Sequence, residues 1–447
     1  MYWLDISTAA QWRGWHVGIT RVEFELMDHA LGCEDVSFCA FDLRNGIFRE
    51  VSREQVRAIS SRKLLINLSR GGSDEERRMS RIRHPFRSSP LLWYLSQRIR
   101  RRHRNLRKIE IINLHRQKFD HDQQQIPIIQ STQLRPVKLG ETDVVISTGL
   151  DWDFKDIRKI IDLKRRDRFR YVAMVYDLVA LNSPQFVVPG SAERLTDYFG
   201  ELFWLADHII CNSRAVEKDV REHISTLASA NPNVSVVPLG VSISLGQFEK
   251  LPRELRGNKY IAAIGTLEPR KNIRTLYVAW EVAIRDGLID PSLHKLVLVG
   301  RKGWSVDDLV RDIGLNPNTA GSVLITGSVD ESTLMSIYEH ASAIVVPSFH
   351  EGFGLPLAEA MAFGKASLSS GQGALAEVGA GLVTEIDPYD VMAWARAISR
   401  ALTDDTWRSQ QEVLLAGRRS KSWGQVASDF FNIIFQEFPE CRMVSSH

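Results

Sequence analysis

Cysteine is scarce in this chain. Four among 447 residues, Cys33, Cys39, Cys211 and Cys441, make neither a disulfide framework nor a metal-ligand spacing, which suits a reducing compartment. Twelve histidines form no His-x3-His pair and no His/Cys cluster, so no zinc-type site is expected. No apolar run reaches the roughly 18 residues of a spanning helix. The start, Met1-Tyr2-Trp3-Leu4-Asp5, has no basic stretch leading into an apolar core, so no secretory signal is expected. Gly14 and Gly18 do not complete the dinucleotide fingerprint. What is present is a globular composition, 44% hydrophobic and 25% charged, in a chain long enough for two or three domains.

The net charge of +3 hides an asymmetry. Between Val51 and Lys118 there are 19 Lys and Arg against 5 Asp and Glu, leaving 38 against 49 elsewhere. This stretch, about residues 51–125, does not read as regular α/β and is taken as a basic insertion, partly helical. It holds the run Arg98 to Lys108, preceded by Leu91-Leu92-Trp93-Tyr94-Leu95. Beyond Trp93 and Tyr94 the run lacks interleaved aromatics for stacking, so nucleic acid is not the expected partner. An anionic membrane surface is, because each cation near such a leaflet contributes roughly 1 kcal/mol and Trp and Tyr favour interfacial depth.

Elsewhere the chain alternates between strands and helices. Tyr2 to Ile6, Asp143 to Ser147, Tyr171 to Asp177 and Leu205 to Ser213 read as strands of a first domain, with Ser213 capping the next helix. A charged segment, Phe248 to Asn258, is the expected linker. Tyr260–Ile264, Lys295–Gly300, Val323–Thr326, Ala343–Val346 and Ala366–Ser369 then alternate with helices. One helix carries Ile273, Leu276, Tyr277 and Trp280 at helical spacing behind Asn272 as its cap. Another carries Leu334, Ile337, Tyr338 and Ala341 behind Asp330. The pattern predicts parallel sheets covered on both faces, with ligands beyond the strand C-termini, where Gly265, Gly300 and Pro347 fall.

Two stretches carry chemistry. In Ser348-Phe349-His350-Glu351-Gly352-Phe353-Gly354-Leu355-Pro356 a strand turns through glycines into a helix whose first turn suits Pro356. Free amides and the dipole at such a helix start attract an anion. Glu351 before the turn and Glu359 within the helix suit hydroxyl-rich groups at either end of that anion, as in a sugar nucleotide. Gly265-Thr266-Leu267-Glu268-Pro269-Arg270-Lys271-Asn272 places two cations in a strand-end loop, where they suit a diphosphate.

These stretches resemble the Glu-x7-Glu signature and the Arg/Lys loop of retaining GT-B glycosyltransferases, family 4, also called group 1. The resemblance implies an α/β fold of two Rossmann-like parallel-sheet domains facing across a cleft. It places an acceptor-side domain over 1–248, a nucleotide-sugar domain over 249–420 and, over 421–447, a C-terminal helix packing back towards the first domain. It implies that Glu351 lies by the transferred sugar, that Glu359 holds the ribose, and that Arg270 and Lys271 neutralise the diphosphate without a metal. Gly352, Phe353, Gly354 and Gly265 then line the donor site. Gly18 matches the family's N-terminal glycine loop, and Arg21 either meets a phosphate or caps that turn. Lys302 or Trp304 either contacts the nucleotide or faces solvent. Tyr176 and Asp177 stand where many relatives have His-Asp; Asp177 either orients the acceptor or holds its loop. Glu377 is expected to be structural. Asp151-Trp152-Asp153 is formally an Asp-x-Asp metal signature, but it belongs to the domain opposite the nucleotide site.

The resulting expectation is a metal-independent hexosyltransferase with no cofactor, acting with retention. It takes a mannose-like hexose from a nucleotide sugar to a lipid-linked bacterial surface polysaccharide or lipopolysaccharide, at the cytoplasmic face of the membrane. A GT-B epimerase and a non-catalytic nucleotide-sugar-binding protein are the alternatives.

Overall fold

A computed structural model describes residues 1–14, 18–68, 126–188, 190–227, 231–241, 251–418 and 420–441. Its strands are β1 (Tyr2–Asp5), β2 (Val36–Asp42), β3 (Ile47–Val51), β4 (Leu65–Asn67), β5 (Ile128–Gln130), β6 (Val144–Ser147), β7 (Arg170–Val175), β8 (His208–Cys211) and β9 (Asn233–Val236), followed by β10 (Lys259–Ile264), β11 (His294–Val299), β12 (Val323–Gly327), β13 (Ala343–Val346), β14 (Ser367–Ser369) and β15 (Thr384–Glu385). One sheet runs β3-β2-β1-β6-β7-β8-β9, a second β12-β11-β10-β13-β14-β15, and β4 pairs with β5 alone. β1 pairs in parallel with β2 and β6, β10 with β11 and β13, and β13 with β14, whereas β2 and β3 are antiparallel. The chain divides into two compact units: Met1–Ala173 with Leu205–Asp207 and Ile434–His447, and Met174–Trp204 with His208–Ile433.

The second sheet shows why its strands read as unbroken apolar runs. Ile261 and Ala263 of β10, Leu296 and Leu298 of β11 and Val345 of β13 pack on one face with Leu276, Trp280, Trp394 and Ile398. Tyr260, Ala262, Val297, Val299 and Ile344 pack on the other with Ile337, Tyr338, Leu357 and Met361. Successive side chains point to opposite faces, and helices cover both, so the central positions of β10, β11 and β13 are apolar on both faces. Ile273, Leu276, Tyr277 and Trp280 are all buried as the periodicity predicts, and Asp330 caps its helix by accepting the Thr333 N–H at 2.7 Å.

Strand order reverses between β10 and β13, so the loops that leave these two strands flank the switch point where open α/β sheets bind ligands. In the first sheet the corresponding strands are β1 and β6. There, Tyr2 at the start of β1 donates from its hydroxyl to Phe438 O at 2.7 Å and meets the Phe435 ring at 4.7 Å, past and within the helix Trp423–Glu437.

One expectation is corrected in part here. The stretch from Val51, read as not regular α/β and partly helical, opens with a capped helix and a strand. Ser52 and Gln55 form a reciprocal capping box on the helix Arg53–Ser60, which buries Val56 and Ile59, and β4 follows. The run Arg98 to Lys108, the Leu91–Leu95 stretch and most of the expected linker lie outside the described residues. Among those described, no helix is long and apolar enough to cross a membrane.

Candidate donor site

The loop after β10 is shaped before any ligand is considered. Gly265 has φ +134°, which a side chain rarely adopts, and a Cβ there lies 3.3 Å from the Lys271 side chain. Its N–H continues the ladder to Val299 O at 2.8 Å, and Pro269–Lys271 closes as a single 3-10 turn. The loop after β13 is hydrogen-bonded to it, the Phe349 N–H meeting Arg270 O at 2.9 Å.

Between the loops lies a four-charge cluster whose carboxylates are buried and whose cations are partly so. Arg270 donates to Glu351 Oε2 at 2.7 Å, to Glu268 Oε1 at 3.0 Å and to His350 O at 2.9 Å. Lys271 Nζ donates to Glu351 Oε1 at 2.6 Å, and Ser348 Oγ to the same oxygen at 2.7 Å. Glu351 is 5% exposed. Burial alone raises its pKa, but Lys271 and Arg270 outweigh burial and bring it down to about 2. Burial raises Glu268. Burial works to lower Arg270, but Glu351 and Glu268 outweigh it and hold its pKa up. At neutral pH Glu351 is therefore an ionised acceptor with no proton to give. Both cations are oriented by carboxylates rather than free.

Asn272 corrects a second expectation. It occupies the N-cap position of the helix Ile273–Arg285 but caps nothing. At φ +54° its amide donates instead to Pro347 O at 3.0 Å and Pro388 O at 2.8 Å. One buried side chain thus ties the loops after β10, β13 and β15.

The glycine turn is equally constrained. A Cβ on Gly352 falls 1.8 Å from Tyr176 O and 3.0 Å from Asp177 Cβ, so only glycine permits this approach. Gly352 O accepts from Ser213 Oγ at 2.7 Å, and that oxygen also caps its helix by accepting the Val216 N–H. Asp177 accepts from the Val179 N–H at 3.2 Å and acts electrostatically on Arg270. Tyr176 and Asp177 belong to the same compact unit as the cation pair. Gly354, at φ +95°, precedes the helix Leu355–Ala362, with Pro356 in its first turn and Phe353 packed partly into the core. On that helix Glu359 is 7% exposed and accepts from Tyr338 OH at 2.7 Å. The Tyr338 ring stacks on Phe363 at 5.4 Å.

The remaining candidates are held by other contacts. Lys302 is exposed and paired with Asp307. Trp304 donates its indole N–H to Phe186 O at 3.0 Å. Glu377 accepts from the Arg214 N–H at 2.9 Å, the structural role expected of it. In the other unit Gly18, at φ +56°, starts the helix Ile19–Ala30, and Arg21 faces Glu25 at 3.8 Å. Glu268, Ser348, Ser213 and Tyr338 were not singled out as site residues from sequence. Their roles depend on partners up to 139 positions away, as for Ser213 and Gly352, although Ser348, three residues before Glu351, was within reach of a local reading.

Asp151 is committed to a second buried cluster, at the first sheet's switch point. Its carboxylate accepts from Ser147 Oγ at 2.6 Å, Tyr171 OH at 3.2 Å and Lys155 Nζ at 2.7 Å, and Lys155 also pairs with Asp5. Beside them Glu23 is fully buried. Its Oε1 accepts the Ala9 N–H at 3.0 Å, whereas Oε2 has no hydrogen-bond partner and lies where a Cβ on Gly149 would meet it at 2.5 Å. Among the described residues no group of His, Cys, Asp and Glu is arranged to hold a metal ion.

Residues 258–404, which carry the four-charge cluster and Glu359, match the family described as Glycosyl transferases group 1; the match covers less than half of the chain. O-antigen chain mannosyltransferase B of Escherichia coli is 36% identical over 182 residues, 40% of this chain and 46% of that protein. Serotype-specific mannosyltransferase WbdA of Escherichia coli is 27% identical over 239 residues, 50% of this chain and 29% of that protein. The chain thus spans less than half the length of either relative. In structure it is similar to an alpha,alpha-trehalose-phosphate synthase (UDP-forming) from Burkholderia xenovorans, with a TM-score of 0.51 at 16% identity over 66% of this chain and 73% of that one. With its two parallel-sheet layers the fold is GT-B.

Proposed function

We propose that the chain is a retaining hexosyltransferase of family 4. In this reading it transfers mannose or a related hexose from a nucleotide sugar to a growing, lipid-linked glycan of a bacterial surface polysaccharide. The observation that carries this is the Arg270–Lys271–Glu351 cluster at the β10/β13 switch point. Two oriented cations at a strand end suit the charge that grows on a departing nucleoside diphosphate. Glu351, ionised, accepts hydrogen bonds from the hydroxyls of the transferred sugar and takes no part as an acid. Glu359, held by Tyr338, receives the ribose hydroxyls. Glu351, held ionised by both cations, is not set up as a base near neutral pH, which fits a front-face reaction in which the leaving phosphate takes the acceptor's proton. The mannose preference and the surface-glycan acceptor draw support from the names of the two Escherichia coli relatives.

The test is a panel of sugar nucleotides incubated in EDTA with and without a mannotriose acceptor, the product anomer being read by NMR. The expected result is acceptor-dependent transfer from GDP-mannose with retained configuration. Strict dependence on added manganese would overturn metal independence. Turnover to a new free sugar nucleotide without acceptor would replace transfer by epimerisation.

The lipid-linked acceptor and the charge excess of residues 51–118 further lead us to place the enzyme peripherally at the cytoplasmic membrane face. It is then expected to sediment with anionic but not zwitterionic liposomes, less so as salt rises. Charge reversal of Arg100, Arg101, Arg102 and Arg104 that leaves sedimentation unchanged would remove the basic stretch as the contact.

A further inference from the structure

Arg270 and Lys271 adjoin in sequence but are bound very differently. Arg270 is nearly used up within the protein. Its Nε donates to Glu268 Oε1 at 3.0 Å, and Nη2 lies 2.8 Å from the same oxygen. Both N–H groups of Nη1 are taken, one by Glu351 Oε2 at 2.7 Å and one by His350 O at 2.9 Å. Only Nη2 has an N–H to spare. Asp177 adds a further negative charge acting on this guanidinium.

Lys271 is the opposite case. Among the described residues its Nζ makes one pairing, with Glu351 Oε1 at 2.6 Å, so the other N–H groups of the ammonium remain for a ligand. Gly265 keeps bare backbone beside that ammonium, since a Cβ there would lie 3.5 Å from Nζ. Lys271 also lines a small cavity at the ends of β10 and β13, with Gly265, Thr266, Pro347 and Ser348, whereas Arg270 and Glu268 are outside that lining. Glu351 stands between the two cations, one oxygen turned to each. Glu268, 5% exposed, fixes the Nε and Nη2 edge of the guanidinium and so turns Nη1 to Glu351.

We propose that Glu268 and Arg270 are a positioning pair, and that Lys271 is the cation that meets the diphosphate. The proposal rests on the donor-site reading above and gives its two cations separate tasks. The pair holds Glu351 in place and shares its charge, which leaves Lys271 with N–H groups to give. Without the pair, Glu351 falls to Lys271 alone and competes with the diphosphate for it. Arg270 itself lacks the two parallel N–H groups with which a guanidinium grips a phosphate.

The test is calorimetry with GDP and UDP on the full chain, run as a cycle with Glu351→Gln. One arm is Lys271→Ala. The other is the double variant Glu268→Gln/Arg270→Gln, which removes the pair, keeps the net charge of the cluster and strands no buried charge of its own. Melting curves accompany every protein. Arg270→Lys, which keeps the charge but not the planar fork, takes the place of the double variant if that chain does not fold. Lys271→Ala is expected to weaken diphosphate binding about 10- to 100-fold in both backgrounds, as loss of charge-assisted hydrogen bonds does. The double variant is expected to weaken it about tenfold while Glu351 is present, and less than about twofold in the Glu351→Gln background, where no carboxylate is left to hold Lys271. Equal weakening by the double variant in both backgrounds overturns the proposal, because Arg270 then touches the diphosphate itself. A double variant that binds like its parent in both backgrounds, or Lys271→Ala without effect, overturns it as well. Failure of wild type to bind either diphosphate would instead sink the donor-site reading.

Discussion

Glu351→Gln and Arg270→Ala are expected to abolish transfer alike, yet to move the affinity for a bare nucleoside diphosphate in opposite directions. In the proposed reading each removes a group that acts on charge or hydroxyls at the reacting centre, and such losses typically cost about 10²–10³ in rate. Their effects on binding differ because of what the cations do before a ligand arrives. Glu351 already occupies Arg270 and Lys271 at 2.7 and 2.6 Å, so an incoming diphosphate competes with a carboxylate for the same N–H groups. Glutamine in its place keeps the shape and withdraws the competitor. Arg270→Ala removes a donor and leaves Glu268 and Glu351 with Lys271 as their sole cation in the cluster. Removing one member of a buried ion pair costs about 3–5 kcal/mol of stability, so melting temperatures must accompany the titrations. GDP and UDP are expected to raise the melting temperature of Glu351→Gln more than that of wild type, and that of Arg270→Ala less. Glu359→Ala, which in the proposed reading removes the ribose contact and also leaves Tyr338 OH without this acceptor, is expected to weaken diphosphate binding without changing the cation cluster. Calorimetry reads all three. Near-normal turnover in Glu351→Gln, or diphosphate affinity falling equally in Glu351→Gln and Arg270→Ala, would remove the assignment of the cluster.

Much of this site was legible because parallel strands buried on both faces spell themselves out. Ala343–Val346 is four apolar residues, all buried, and the segment after it must be a strand-end loop. Lys259–Ile264 does the same for the Arg270 and Lys271 loop. Ser213 and Asp330 were readable as caps because a cap is a local interaction spanning three residues. Asn272 misled for the same reason. By type and position it is a good cap, but its left-handed backbone turns the amide away from the helix, towards carbonyls 75 and 116 positions on. Tyr338 showed only its helical spacing. Nothing in that spacing reveals that its hydroxyl, on the core side, meets Glu359. The regularity of residues 51–68 was masked by composition, since the arginines that begin there overshadow two buried apolar positions and a capping box. Local chemistry and burial period were open to reading. Side chains that join separate loops were not, because their partners are set by the sheet order.

Raising the pH from 5 to 9 is expected to destabilise the wild-type chain relative to Glu23→Gln, by an amount that the sequence offered no means to foresee. Glu23 looks like one more polar position in the amphipathic helix Ile19–Ala30, but it points inward and is 0% exposed. Burial pushes its pKa from 4.5 up to about 8. The Ala9 N–H works against this, the Asp5 charge adds to it, and Lys155 and Asp151 act in opposite senses. The sign follows from the two states. Below pH 4.5 Glu23 is protonated whether the chain is folded or not, and its contribution is fully present. Between 4.5 and about 8 the folded chain keeps a proton that the unfolded chain has lost, so each step up in pH favours unfolding, and above about 8 the loss is complete. Glutamine preserves an oxygen for the Ala9 N–H and cannot ionise. At the usual 1.36 kcal/mol for each pKa unit, the difference between wild type and Glu23→Gln should grow by a few kcal/mol across this range. Asp5, Asp151 and Lys155 are present in both proteins, so their own titration largely cancels in the comparison. Urea unfolding of the two chains at pH 5, 7 and 9 makes the measurement. Stability curves that run parallel across that range would show that Glu23 is already ionised in the fold, and that the Asp5–Lys155–Asp151 cluster tolerates a third carboxylate without taking up a proton.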